Sequence, residues 1–265
     1  MAQRGKPKFA RGCFRRIVLL CTLGAVAASP VLAADPTIDP PPETPQETAI
    51  NAAHNALLRE GRYEQLDKEM TQIQSEYERG IRDDISLLHL SYAFYDTDPG
   101  LEAKFTAWIA AYPQSYAARQ AQGIYFRRIA RKVRGISYSN QTQPQQLADM
   151  SAYLDRAMES YRLSLPLTAK PVLTYYNMLC VARLVGDRQL GKKMLDAACQ
   201  IDPKNFIVRY KYMTMLETRW GGSLQDMQRF RTEVQQAGLP HEQISYFDQL
   251  ISEETAWLAE QGSRR

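Results

Sequence analysis

The feature that most limits what this chain can fold into is the spacing of its apolar residues between positions 47 and 261. They recur every three or four residues with no sustained alternation, and the interruptions fall at Gly or Pro. That pattern predicts helices, and short ones. A short helix pair cannot bury both of its faces alone, so pairs of this kind must stack on one another. Counting back from Pro203, Tyr175, Met178, Leu179 and Ala182 make one stripe, and Gly191, Leu195 and Ala198 make the next. Counting back from Pro113, Ile85, Leu88, His89 and Tyr92 are followed by Leu101, Phe105 and Trp108. Gly61 separates Leu57 and Leu58 from Leu66 and Met70. Another pair starts at Gly123 and Phe126, breaks over residues 134–146, and resumes with Leu154 and Met158. The last uses Arg209, Tyr212, Met213 and Leu216, then Asp226 and Phe230; Gly221 and Gly222 should stop one helix and Ser223 cap the next. Residues 241–261, apolar at Ile244, Phe247, Leu250, Ile251 and Leu258, read as a helix that covers the open end.

This order of stripe, turn, stripe and proline resembles the tetratricopeptide repeat of about 34 residues. The expected fold is therefore all-α, a tetratricopeptide-like αα-solenoid of about five helix pairs with a C-terminal capping helix. Over residues 52–247 the chain also resembles a bacterial family of exported or envelope proteins, domain of unknown function 4034. Four stretches carry that resemblance: residues 57–63, residues 108–115, the segment holding Ala130, Arg131, Arg134 and Gly135, and residues 219–223. The resemblance implies fold and compartment, and it supplies no activity and no catalytic residue.

Residues 1–34 read as an address. Arg4, Lys6, Lys8, Arg11, Arg15 and Arg16 precede an apolar run over residues 17–28 and a small-residue site ending Val31-Leu32-Ala33-Ala34. This is a secretory signal, with cleavage expected near Ala33 or Ala34 and a periplasmic or secreted product. An uncleaved anchor is the alternative, since residues 17–34 sit at the lower edge of a membrane span. Residues 35–46, with five prolines, read as a linker, and residues 47–262 as the helical-repeat domain.

The address also explains the charge. The whole chain has a formal charge of +4. The first 34 residues hold six of the 33 basic residues and none of the 29 acidic ones, so 27 basic residues face 29 acidic ones in the remainder. A nucleic-acid partner loses its main support with the leader. One local basic cluster remains, Arg127, Arg128, Arg131, Lys132 and Arg134, with positions 127, 131 and 134 on one helical face. It reads as a solvated face or as a docking site for a C-terminal carboxylate, an acidic peptide or a cell-wall polymer.

No signature for catalysis, phosphate binding or dinucleotide binding occurs. The only histidines are His54, His89 and His241. His54 and His89 fall at equivalent places in successive repeats and are expected to pack; stacked helices lie about 8–10 Å apart, which does not bring two imidazoles onto one ion. No metal or cofactor is expected. Cys180 and Cys199 flank a turn near Gly186 unequally, which offsets them by roughly 9 Å along antiparallel helices and argues against a disulfide. Asp83 and Asp84, like Glu253 and Glu254, are adjacent and read as solvated or helix-end charges. Asn140 begins a glycosylation sequon of a kind common by chance.

If the first helix of each pair lines a concave groove, as in tetratricopeptide proteins, then Asn51, Asn55, Arg127, Arg131, Tyr176, Arg183 and Tyr210 face it. Tyr and Arg are the types that make binding hot spots, and Asn can both donate to and accept from a peptide backbone. Residues 135–146, with Tyr138, would form a loop over one mouth. The expected role is non-enzymatic binding of a protein or peptide, with membrane contact only through an uncleaved signal. An enzyme or accessory factor acting on envelope polymers, and an anchored structural component, are the alternatives.

Overall fold

The computed structural model describes residues 42–135 and 142–263. The signal, the linker up to residue 41, Tyr138 and Asn140 lie outside the described residues. Within them the regular structure is all helical, with eleven α-helices and no strand, as the apolar spacing requires. The helices are α1 (Pro45–Glu60), α2 (Tyr63–Glu78), α3 (Asp84–Leu90), α4 (Leu101–Ala111), α5 (Tyr116–Arg134) and α6 (Pro144–Ser164). Then follow α7 (Val172–Val185), α8 (Arg188–Ile201), α9 (Ile207–Met215), α10 (Leu224–Gln236) and α11 (His241–Ser263). Short 3-10 turns at Ser91–Phe94 and Leu165–Leu167 extend α3 and α6, and a third, Thr218–Trp220, follows α9 after an extended Glu217.

Local chemistry places the ends. Gly61 and Gly186 close α1 and α7 in the left-handed conformation, at φ of 76° and 72°, which a Cβ would disfavour. Ser115, Asp187 and Ser223 cap α5, α8 and α10 through their side-chain oxygens. The linker is shorter than its prolines suggest. Pro45 is tolerated in the first helical turn, and Thr44 and Glu47 form a capping box, so α1 begins two residues before the expected boundary.

Packing follows from small residues at crossing points. In α8, Gly191, Met194, Leu195 and Ala198 face inward while Lys192, Lys193 and Asp196 face water. Gly123 of α5 lies against the Tyr161 ring of α6, where an added Cβ would stand 2.3 Å from Cε1. A glycine there lets these two long helices approach closely along much of their length. Beyond such pairs, alternate elements pack on one another: α1 on α3, the 3-10 turn after α3 on α5, α5 on α7, α7 on α9, and α9 on α11. Phe247 of α11 meets Phe206 edge to face at 5.7 Å, and Ile244 and Leu250 are buried beside it.

One set of contacts departs from a stack in which each pair touches only its neighbours. Tyr77 at the end of α2 donates to Asp202 at the end of α8 (2.6 Å). Gln74 donates to the Lys170 carbonyl (3.1 Å), and Glu78 accepts from the Ala169 and Lys170 amides (3.1 and 3.3 Å). Asp84 accepts from the amides of Phe206 and Ile207 and so caps α9 from α3. Asp84 is therefore no solvated charge: it is 6% exposed, and burial, opposed in part by these two amides, raises its pKa to about 7. Glu254 is corrected likewise, being 1% exposed and bonded to the Thr218 amide (2.8 Å), whereas Glu253 stays at the surface with Gln249.

Candidate functional site

The residues expected to face a groove come from α1, α5, α7 and α9, but they do different things. Asn51 is buried and bridges three partners: it donates to Glu43 (2.6 Å) and the His89 carbonyl (2.9 Å) and accepts from the Ala93 amide (3.2 Å). Asn55 donates to the Ala93 carbonyl (2.9 Å) and accepts from Arg59 (2.9 Å). Both asparagines thus tie α1 to the turn after α3, with their amides already engaged. Tyr210 is buried in the aromatic group that seats α11, 5.6 Å from Phe206 and 6.0 Å from Phe247. These three hold helices together.

Arg127, Tyr176 and Arg183 join a different arrangement. Around α5 and α7, cationic groups lie over aromatic rings: Arg128 at 4.6 Å and Arg127 at 5.8 Å from the Tyr95 centroid, Lys211 at 5.7 Å from Tyr176, and Arg183 at 4.3 Å from Trp220. His89, Tyr92 and Tyr95 continue the ring contacts at 5.6 and 4.6 Å. Sequence reasoning passed over Tyr95, Tyr161, Lys211 and Trp220; the repeat offset of Tyr95 from Arg127 was the available signal. Arg131 and Arg134 are half-buried, and Lys132 is exposed. The basic run is thus divided by depth, not spread over one solvated face.

Arg127 is the deepest member, with 6% of its surface exposed and an Nε that makes no hydrogen bond. The groups facing it are the Cys180 thiol and the phenols of Tyr161, Tyr95 and Tyr176. Burial raises the Tyr161 pKa, and Arg127 opposes that rise. Arg183, in contrast, faces Glu217, which also takes Arg219 Nε at 2.6 Å. Burial raises the Glu217 pKa while the two arginines lower it.

The other chemical candidates have structural partners. His54 and His89 are buried and contact Glu69 (3.0 Å) and Glu47 (3.1 Å). Burial lowers the His54 pKa against the pull of Glu69. Cys180 and Cys199 are free thiols. Among the described residues, no three His, Cys, Asp or Glu side chains are grouped to hold a metal, and no helix is long and apolar enough to cross a membrane. A cleft of about 620 Å³ lies between α2, the turn before α5 and the segment after α6. Its main polar groups are committed: Asp67 to Trp108 (3.0 Å), Glu78 to the amides of residues 169 and 170, and Gln74 to Lys170.

No curated protein and no solved structure matches the chain. A family described as domain of unknown function DUF4034 matches residues 51–195, from α1 into α8. The stretch at residues 219–223 lies beyond that match. With more than half of its length covered, the chain belongs to the DUF4034 family.

Proposed function

We propose that this chain is an exported, non-enzymatic helical-repeat protein that holds a protein or peptide partner on the face formed by its alternate helices. In this reading, α1 to α10 are about five tetratricopeptide-like pairs and α11 closes the end. The packing of alternate elements on one another supports that arrangement. The basic leader and small-residue cleavage site support export to the periplasm or beyond.

The observation that carries the functional reading is the run of cation-on-ring contacts from Tyr95 through α5 and α7 to Lys211 and Trp220. Tyrosine, tryptophan and arginine are the side chains that most often dominate binding energy. Rings held against cationic side chains are already ordered, so a partner loses less entropy on docking against them. Arg131 is retained as a contact residue, with Tyr95 and Arg128 added, while buried Tyr176 supports the face from beneath, under Lys211. Asn51, Asn55 and Tyr210 act one step back, by fixing the helices that present the face.

Crosslinked pull-down from an envelope fraction tests this. The variant Arg127→Ala, Arg131→Ala, Tyr176→Ala, verified as folded by circular dichroism, should lose partners that the wild type recovers. Identical partner sets from the two proteins would remove the groove assignment.

A further inference from the structure

Arg127 narrows the chemistry of the ligand. We infer that its guanidinium is the docking point for a single carboxylate on the bound peptide, an inference that rests on the peptide-holding face proposed above. The side chain is 6% exposed, its Nε bonds to nothing, and no acidic group lies within ion-pair distance of it among the described residues. Its immediate surroundings, Tyr95, Tyr161, Tyr176 and Cys180, are all neutral groups at physiological pH.

A buried charge without a counterion opposes folding, and unlike a buried lysine an arginine does not escape by losing its proton. At three other arginines a carboxylate is supplied internally, and buried Arg209 has at least the Pro203 carbonyl (2.8 Å). Arg82 pairs with Glu76, Arg219 with Glu217, and Arg183 faces Glu217. At Arg127 the fold supplies neutral phenols, that of Tyr161 foremost, in place of a carboxylate. The missing element is an anion.

Its class follows from the surroundings. A planar guanidinium matches a carboxylate through two parallel N–H···O bonds. A deep cation walled by tyrosine rings, with Arg128 over Tyr95 and Lys211 over Tyr176, suits a carboxylate flanked by apolar residues. A polyanion would need many cations, and beyond residue 34 acidic residues outnumber basic ones, 29 to 27. The carboxylate belongs to a Glu or Asp side chain or to a chain terminus, and the test separates these sources.

Three fluorescein-labelled octapeptides of one apolar sequence serve as probes: one with a central Glu and an amidated end, one with Gln and an amidated end, and one with Gln and a free C-terminal carboxylate. Fluorescence anisotropy should show at least one carboxylate peptide binding the wild type about tenfold or more tighter than the amidated Gln peptide. Whichever of the two holds the gain identifies the source. Arg127→Gln should abolish the difference while keeping or raising the thermal midpoint, because it removes a buried charge that no acidic group among the described residues neutralises. Exposed Arg229→Gln should leave the difference intact. Equal affinity of all three peptides for the wild type, or a gap that survives in Arg127→Gln, overturns the inference. If the three bind equally and Tyr95→Ala weakens them alike, the carboxylate inference fails while the peptide-holding face stands. If none binds, both fail.

Discussion

Gly123→Ala should loosen the most extensive helix–helix contact in the chain. An alanine Cβ would stand 2.3, 2.6 and 2.9 Å from Cε1, Cδ1 and Cζ of Tyr161, where ordinary contact begins near 3.4 Å. The obstacle is a fully buried aromatic ring, not the tip of a flexible chain, and Arg127 lies beside it. Relief requires α5 and α6 to separate. Overpacking of this kind costs about 3 kcal/mol at the upper end of its usual range, and the better helix propensity of alanine returns about 1 kcal/mol. The net loss is about 2 kcal/mol, or roughly 4–8 °C in the thermal midpoint for a chain of this size. Urea and thermal unfolding followed by circular dichroism measure it. Gly191→Ala is the internal control: its Cβ would meet the Met215 Sδ at 2.5 Å, a thioether end that can swing away, so the loss should stay below about 1 kcal/mol. Tyr161→Leu added to Gly123→Ala should recover much of the loss as a coupling energy. A Gly123→Ala protein as stable as the wild type, or no coupling with Tyr161, would refute the close approach of α5 and α6.

Three further outcomes follow from the long-range contacts and the thiols. Asp84 has its folded pKa raised to about 7, so its contribution to stability is present at low pH and is lost as pH rises through 7. Asp84→Asn should flatten that decline in urea titrations between about pH 4 and pH 7, while Asp84→Ala, which strands two α9 amides, should cost about 2 kcal/mol. Tyr77→Phe removes the 2.6 Å bond to Asp202 and should cost about 1–2 kcal/mol, read from the urea midpoint. Without reductant, Cys180 and Cys199 should label slowly in the folded protein and fully once it is unfolded; a pair that stays blocked after unfolding would contradict the free thiols.

Much of the fold was legible because local rules act where the residues stand. Gly61, Gly186 and Ser223 announce helix ends through backbone freedom and side-chain acceptors, and Gly191 and Leu195 share a face by spacing alone. The buried histidines were half legible. With a turn at Gly61, His54 and Glu69 stand at nearly equal distances on either side of it, and antiparallel helices bring them to 3.0 Å. Asp84 and Glu254 were misread because their partners, at residues 206–207 and 218, are set by how helices distant in sequence pack, which helical spacing does not encode. Arg127 stood out in the sequence, yet its depth was not legible: α5 is enclosed on nearly all sides, and a run of arginines looks the same whether solvated or walled by tyrosines.

The central claim, that the cation-and-tyrosine face is where a partner sits, is tested most directly by site-specific photocrosslinking in cells. A photoreactive residue at Tyr95 should yield discrete partner adducts, whereas one at exposed Lys193 of α8 should yield none. The same adducts from both positions, or adducts from Lys193 alone, would contradict it.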